Sequence, residues 1–413
     1  MIKKILEGTE FYAKTYMVGG CVRDLLLGRD PADIDLVTEN KEGLLEFLKT
    51  SGYISGPIVE FPNSGATSFR LIGFDKDIEL VEGDLSGHRD FTINSLYLPL
   101  SSDTPLDPTG RGITDIEDQV VHATFNAFLE DPLRILRGIR LAVTLGFEIS
   151  KETWTEMCMK SWRLSDIPRE RVTSELEKIL TSPNPSRGLR IMELTGCLQG
   201  VCPELYQATK MTQNKYHIGT VWEHTVEVVN KCTGRGRIVL WSALFHDIGK
   251  LETKTEDSRG VHFLGHAEKG SEMCEDILRG LRLPGDDIKK IKILVARHMD
   301  FKHYAPGIPK DKKLRRYQYE LGEDLYWMLL DLIEADNNSH APGYCIEDQV
   351  TEIRKRTAQM LTYFDYTLPV SGADIMEVKK IGPTREVGKY LETCLKIACA
   401  RPGITKEEIL KQL

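Results

Sequence analysis

The chain has no C-x-x-C pair, although it carries nine cysteines. Its tightest spacings, Cys197/Cys202 and Cys394/Cys399, do not suit a zinc knuckle, and reduced structural thiols are expected rather than a disulfide framework. No run approaches the ~18 apolar residues of a membrane span. The opening MIKKILEGTEFYAK holds too short an apolar stretch for a signal peptide, so a cytoplasmic protein without a membrane partner is expected. Positive charge is not in excess either: the net charge is −8. No global field draws in nucleic acid, and any RNA or phosphate site has to be a local basic surface. Internal repeats and low-complexity segments are missing as well.

What remains is the composition of an ordinary globular protein, 41% hydrophobic and 28% charged. At 413 residues the chain is too long for one core, and roughly two to four domains are expected. Up to about residue 125 the pattern is mixed α/β. TYMVGG and DIDLVTE read as short strands around the helical CVRDLLLG. TSFRLIGF and KDIELVE read as a strand pair, and FTINSLYLPL as a helix or a strand with a polar start. From about 129 strands all but disappear. Amphipathic segments follow, among them PLRILRGIRLAVTLGF, RERVTSELEKILTS, IKKIKILVARHM and LYWMLLDLIEADNN. Breaks are expected near TSPNPSRG (182–188), YAPGIPKDKK (304–313) and LPVSGAD (368–374), where Pro, Gly and Ser cluster.

Two linked features stand out in VGGCVRDLLLGRDPADIDLVTEN (18–40). Gly19-Gly20 ends a strand and opens a helix, so its backbone N–H groups can meet a phosphate with Arg23 one turn in. In DIDLV, Asp33 and Asp35 are two apart on a strand and therefore point to one face. Adjacent carboxylates repel unless a cation lies between them. Mg²⁺ bound to substrate phosphates is the usual solution, and a two-metal arrangement suits in-line nucleotidyl transfer. A surface D-x-D beside a turn is the plain alternative; the Gly-Gly-x-x-Arg upstream favours chemistry.

These residues resemble the opening of the polymerase-β-type nucleotidyltransferase head in the bacterial class II family of tRNA CCA-adding enzymes and poly(A) polymerases. HRDFTINSL (88–96), DPTGRGITDIED (107–118), EDPLRILRGIRLA (130–142) and PRERVTSELEKIL (168–180) follow in the family's order. The resemblance implies an α+β fold: a head with a small mixed sheet and helices (1–128), an all-α neck with a nucleotide-reading helix (129–185), an HD-domain body (186–345) and a helical tRNA-binding tail (346–413). It implies that Asp33 and Asp35 hold catalytic Mg²⁺, that Gly20 and Arg23 contact the incoming triphosphate, and that Arg89 positions it. Glu79 is either a third carboxylate or an exposed strand acid. The partners implied are tRNA, CTP and ATP, with no DNA.

EDPLRILRGIR (130–140) reads as a helix with two acids in its first turn and Pro132 where proline is tolerated. Asp131, Arg134, Arg137 and Arg140 recur every third residue on a face opposite Leu133, Leu136, Ile139 and Val143. Cytosine and adenine each present an amino donor beside a ring-nitrogen acceptor. A carboxylate next to a guanidinium complements that order, Asp131 accepting and Arg134 donating. Uracil and guanine present the reverse. Arg137 and Arg140 suit triphosphate or RNA backbone. The bland alternative is a solvated ion pair worth tenths of a kcal/mol. The family assigns base reading to this Asp and Arg, and nucleotide contacts to the next two arginines.

A second constellation lies downstream: His224, His246-Asp247, His266, His298 and Asp336. His with Asp is a common ligand set for a di-metal hydrolytic site, whereas a lone buried histidine is more often a satisfied core residue. The order H…HD…H…H…D, with HDIGK, resembles the HD phosphohydrolase superfamily. It implies a second divalent-metal site whose metal and substrate the sequence leaves open. Some class II enzymes carry this domain with phosphatase and 2′,3′-cyclic phosphodiesterase activity.

The pattern departs from the family twice. His88 stands where many members have a second arginine, and only 54 positions separate Asp35 from Arg89. Complete CCA-adding members carry a longer segment there, and the shortening resembles the CC-adding branch. The expectation is a Mg²⁺-dependent, template-independent tRNA 3′-terminal nucleotidyltransferase adding C and A, with an HD phosphohydrolase body. CC-only addition is the alternative. A poly(A) polymerase, or a metal-dependent phosphohydrolase with an RNA-binding head, fits less well.

Overall fold

A computed structural model describes residues 1–413 except 63–64, 84–88, 215, 218, 259 and 347. His88 and part of the shortened segment therefore lie outside the described residues. Contacts divide the chain into two compact units, Met1–Glu175 with Leu194–Val201, and Leu176–Glu193 with Cys202–Leu413. The α+β expectation holds, with a sheet in the first unit and a largely helical second.

The first unit is built on β1 (Thr15–Val18), β2 (Ile34–Thr38), β3 (Ile54–Phe61), β4 (Ala66–Leu71), β5 (Asp77–Glu82) and β6 (Tyr97–Pro99). Their order is β3-β4-β5-β2-β1-β6. β2 and β5 run parallel, with Asp35 opposite Glu79; the other neighbours are antiparallel. β2 and β5 are central strands with buried Leu36, Val37, Ile78 and Leu80, as alternating apolar residues require. β3 adds a strand to the expected set. It is an edge strand with exposed or half-exposed side chains and a register shift between Ser55 and Val59. FTINSLYLPL resolves into a turn of 3-10 helix, Thr92–Asn94, followed by β6. Beyond the sheet, Val120–Val121 pairs with Glu148–Ile149 and Thr255–Asp257 with Gly260–His262, so short strands persist past residue 129.

The helix expected to open at Glu130 does not. Glu130 ends a short helix, Ala127–Glu130, and Asp131 is extended at φ −143°, ψ 104°. The next helix runs Arg134–Leu145 and closes on Gly146 at φ 81°. The cause is Pro132: its ring excludes the residue before it from helical angles. Asp131 thus stands at a break rather than on the helix face. Its Oδ1 accepts from Leu133 N at 3.1 Å and its carbonyl from Arg134 N at 3.0 Å, which caps the following helix. Within that helix Gly138 permits close packing, since a Cβ there would lie 2.6 Å from Met157 Cε and 2.8 Å from Phe91 Cζ.

In the second unit the helices Val221–Lys231, Arg237–Phe245, His266–Gly280, Gly285–Arg297 and Asp311–Asn337 surround a core that includes Trp222, Trp241, Phe245, Leu294 and Ile333. Val221–Lys231 starts with a capping box between Thr220 and Glu223, which satisfies two backbone N–H groups that a helix start leaves open. Near the C-terminus Gly372–Lys379, Arg385–Ala400 and Lys406–Leu410 share a small core of Val370, Ile375, Cys394, Ala398 and Ile409. No described helix is long and apolar enough to cross a membrane.

Candidate functional site

In the first unit the strand-to-helix turn and the D-x-D strand meet. β1 ends at Val18, Gly19 turns at φ 73°, ψ −139°, and the helix Gly20–Leu26 begins. A Cβ on Gly19 would lie 2.9 Å from Arg89 Nη1 and 3.4 Å from Asp35 Oδ2. Both the positive φ and the close approach require glycine. Asp35 and Glu79 are cross-strand partners, so Glu79 stands beside the pair that the sequence singled out. Burial, then Asp33 and Glu79, push the Asp35 carboxyl up to about 6, while Arg89 opposes the shift. Three carboxylates against one guanidinium is a set that a divalent cation would complete.

Arg23 folds back over Gly20. It donates to Asp24 Oδ1 from Nε at 2.9 Å and Nη2 at 2.7 Å, and to Asn94 Oδ1 from Nη1 at 2.7 Å. Asn94 Nδ2 in turn donates to Asp90 Oδ1 at 3.1 Å. Asp90 Oδ2 lies 2.7 Å from Arg137 Nη2, an ion pair without hydrogen-bond angles. A continuous run of side chains therefore links the glycine turn to the helix Arg134–Leu145.

The arginine ladder is not a row of free donors. Arg134 Nη1 pairs with Glu130 at 2.6 Å, Arg137 with Asp90, and Arg140 Nε with the buried Glu175 at 2.8 Å. Asp131 pairs not with Arg134 but with Arg171, whose Nη2 donates to Oδ2 at 2.6 Å. Arg171 lies in PRERVTSELEKIL, a segment that sequence reading marked without giving any residue a role. Asp90 and Asn94 likewise lie in HRDFTINSL, where spacing alone gives no reason to select them.

The second unit gathers all six residues of the His/Asp set, each at or near a helix end. Asp247 is central: Oδ1 lies 3.4 Å from His266 Nε2 and 3.8 Å from His298 Nε2, and Oδ2 lies 3.3 Å from His246 Nε2 and 3.6 Å from His224 Nε2. Asp336 Oδ1 lies 3.1 Å from His224 Nε2. Every histidine of the set turns its other nitrogen to a carbonyl: His224 to Ser339 at 3.2 Å, His246 to Ala243 at 2.8 Å, His266 to Phe263 at 2.8 Å and His298 to Val295 at 2.7 Å. A carbonyl only accepts, so each Nδ1 carries a proton, and where the ring is neutral Nε2 keeps its lone pair. His266 and His298 thereby bring two Nε2 atoms within 3.2 Å, and burial pushes His298 down to about 3. His246 Nε2 is buried without a hydrogen-bond partner. Lone pairs facing one another and facing carboxylates form a donor set that calls for cations, and carbonyl-oriented imidazoles are the usual support of such ligands.

Two lysines join this cluster that the sequence reading did not select. Lys250 Nζ is 2.6 Å from Asp247 Oδ2 and Lys302 Nζ is 2.7 Å from Asp336 Oδ2. Burial alone would raise both carboxyls, but Lys250 holds Asp247, and Lys302 holds Asp336, well below the ordinary range.

A glycine turn and D-x-D strand on a small mixed sheet, in a chain with a helical His/Asp unit, define a two-part protein: a nucleotidyltransferase-type head and an HD-type body. Residues 15–52 and 71–122 match the family described as the poly(A) polymerase head domain, 146–208 the probable RNA- and SrmB-binding site of polymerase A, and 216–340 the HD domain. The chain is 30% identical to a CC-adding tRNA nucleotidyltransferase of Thermus thermophilus, over 95% of this chain and 91% of the relative. It is also 30% identical to an A-adding tRNA nucleotidyltransferase of Deinococcus radiodurans, over 78% and 76%. The fold is similar to that of the CCA-adding enzyme of Bacillus stearothermophilus solved with CTP, at TM-score 0.68 and 22% identity, covering 96% of this chain and 92% of that one. The chain belongs to the tRNA nucleotidyltransferase and poly(A) polymerase family.

Proposed function

We propose that the chain is a template-independent tRNA 3′-terminal nucleotidyltransferase that takes CTP and ATP and works in the cytoplasm. The observation that carries this reading is the meeting of Asp33, Asp35 and Glu79 with the Gly19-Gly20 turn and Arg89. Asp33 and Asp35 would hold Mg²⁺, which when bound offsets the charge of the triphosphate and of the attacking 3′-hydroxyl. The N–H groups after Gly20, with Arg23 and Arg89, hold the triphosphate through charge-assisted hydrogen bonds. Asp131 and Arg134 select C and A over U and G, and Arg137 and Arg140 complete the nucleotide contacts. In this reading 1–128 is the catalytic head, 129–185 the neck, 186–345 the body and 346–413 the tRNA-binding tail. Asp33→Asn with Asp35→Asn should abolish incorporation; persisting incorporation would remove the head as the catalyst.

The number of residues added is a separate question. The short interval between Asp35 and Arg89 favours CC addition as a second reading, and 30% identity to both a CC-adding and an A-adding relative does not choose between them. The deciding experiment gives the protein tRNA lacking CCA, with CTP alone or with CTP and ATP. Arrest after two C residues with ATP present supports CC addition, and a completed CCA end supports the fuller activity.

For the body we propose a divalent-metal site formed by His224, His246, Asp247, His266, His298 and Asp336, hydrolysing phosphoesters. Asp247, central to four imidazole nitrogens, would bridge the two halves of the set. A divalent metal held by this set would supply the activation of water near neutral pH. Carbonyl-held histidines keep the Nε2 lone pairs aimed inward, and Lys250 and Lys302 place positive charge where a phosphate would lie.

A further inference from the structure

In the first unit, the helix Lys151–Lys160 runs into the 3-10 turns Ser161–Asp166. Its inner face buries Thr153, Met157 and Leu164. Its outer face, with Lys151, Thr155, Cys158, Met159, Trp162 and Asp166, is exposed from end to end. These positions recur three or four apart, as neighbours on one side of a helix do. Met159 is 68% exposed and Trp162 66%. Single exposed apolar residues are ordinary, but an adjoining thiol, thioether and indole make a patch of the kind that marks an interaction surface. The face is also symmetric. A two-fold rotation about a point between Cys158 and Met159 brings every exposed position onto another exposed position: Cys158 onto Met159, Thr155 onto Trp162 and Lys151 onto Asp166. The two ends carry opposite charge. Asp166 accepts from Ser165 Oγ at 3.3 Å, and among the described residues neither it nor Lys151 has an ion-pair partner.

We propose that a second copy of this chain docks on this face, the two helices packing antiparallel about a two-fold axis between Cys158 and Met159. In such a contact the same patch serves both copies, and each pairing occurs twice. Trp162 covers the partner's Thr155, the sulfur side chains meet at the axis, and Lys151 pairs with the partner's Asp166 at either end. RNA suits the face less well. It needs a surplus of cations, and here one ammonium, Lys151, stands against the carboxylates of Glu152 and Asp166. A tryptophan side chain spans up to about 250 Å², so Trp162 leaves on the order of 150 Å² in water. The whole patch is small beside the roughly 800 Å² per partner of a standard interface. The dimer is therefore weak and forms as concentration rises.

The test follows the full-length protein by sedimentation velocity over a wide concentration range, under reducing conditions. The wild type is expected to shift reversibly from monomer to dimer. Trp162→Glu should weaken dimerisation by about tenfold or more, the usual loss for an aromatic anchor. Lys151→Asp and Asp166→Lys should each weaken it as well, and the two together should restore it, because the charges then meet again with their signs exchanged. A general loss of fold would not be restored in this way, and thermal unfolding by circular dichroism checks each variant. Cys158 is the one exposed cysteine of the nine. Packed helix axes lie about 8–10 Å apart, so a short bismaleimide should join the two copies through Cys158, and Cys158→Ser should abolish the product. A wild type that stays monomeric at every concentration would overturn the proposal. So would a dimer that Trp162→Glu leaves intact, or a double charge exchange no better than the single ones. If the wild type is monomeric and Trp162→Glu loses tRNA in filter binding, the face belongs to RNA and the second copy is excluded.

Discussion

Arg171 Nη2 donates to Asp131 Oδ2 at 2.6 Å, across 40 positions of sequence. The pair orients the carboxylate that the base-reading proposal depends on. Arg171 is about half exposed, and exposed pairs of this kind contribute ~0–1 kcal/mol to stability. Its value therefore lies in aim rather than in holding the fold.

Asp131→Ala is expected to relax selection against UTP and GTP by about 1–3 kcal/mol, the usual worth of one such contact, read by single-turnover incorporation. Arg171→Ala should move selection the same way by a smaller amount and leave the urea midpoint nearly unchanged. Unaltered nucleotide preference in both variants would remove base reading from Asp131.

Gly138→Ala adds a methyl group where Phe91 and Met157 leave none. Alanine gains about 1 kcal/mol of helix propensity, but overpacking a core costs roughly 1–3 kcal/mol. Phe91 is fully buried and packs edge-on against Phe128 at 6.4 Å, so it has little room to yield. A net loss of about 1 kcal/mol is expected in denaturant unfolding, and, under the proposed nucleotide-reading role of the helix Arg134–Leu145, C incorporation should fall as that helix shifts.

His246→Ala combined with Asp247→Asn should remove bound metal from the body, measured by elemental analysis. Asparagine is chosen at 247 because a smaller residue would leave the buried Lys250 ammonium without its partner, a costly defect. Nucleotide incorporation by the head should persist in this variant. Unchanged metal content would count against the His/Asp set as ligands.

Acid should loosen the C-terminal segment through Asp374. Its carboxylate accepts from Ser371 N at 2.8 Å and Ser371 Oγ at 2.7 Å and pairs with Lys406. Lys406, then Ser371, hold it at about 2, below the usual 3.8. A depressed carboxyl stabilises the fold above its unfolded pKa and loses that contribution as pH falls through the folded one. Between pH 4 and pH 2 the wild type should therefore lose thermal stability more steeply than Asp374→Asn, followed by circular dichroism.

Much of the fold was legible because it is local. β2 and β5 alternate apolar and polar residues, and the body's helices carry long apolar stripes. β3 was not legible: most of its side chains face solvent, and Gly56-Pro57 interrupts it, as edge strands tolerate. The His/Asp set could be read because residue type and order identify it. Lys250 and Lys302 could not, since a lysine in sequence carries no sign of which carboxylate it will meet. Pro132 was visible, but it was read for its own place in a helix rather than for what it forbids at Asp131. Arg171 and Glu175 meet the 130–140 segment only through tertiary packing, which no periodicity encodes.

The four carbonyl acceptors behind His224, His246, His266 and His298 have one more consequence. Hydrogen bonds to the backbone fix each ring's rotation, and the rings reach their places as the helices pack. If this set is the metal site proposed above, the entropy of gathering its ligands is lost during folding rather than at metal uptake. Unlike a zinc finger, whose chain collapses only around its ion, the body should survive a chelator as a folded scaffold and reload on dialysis, making metal exchange reversible chemistry on a standing frame.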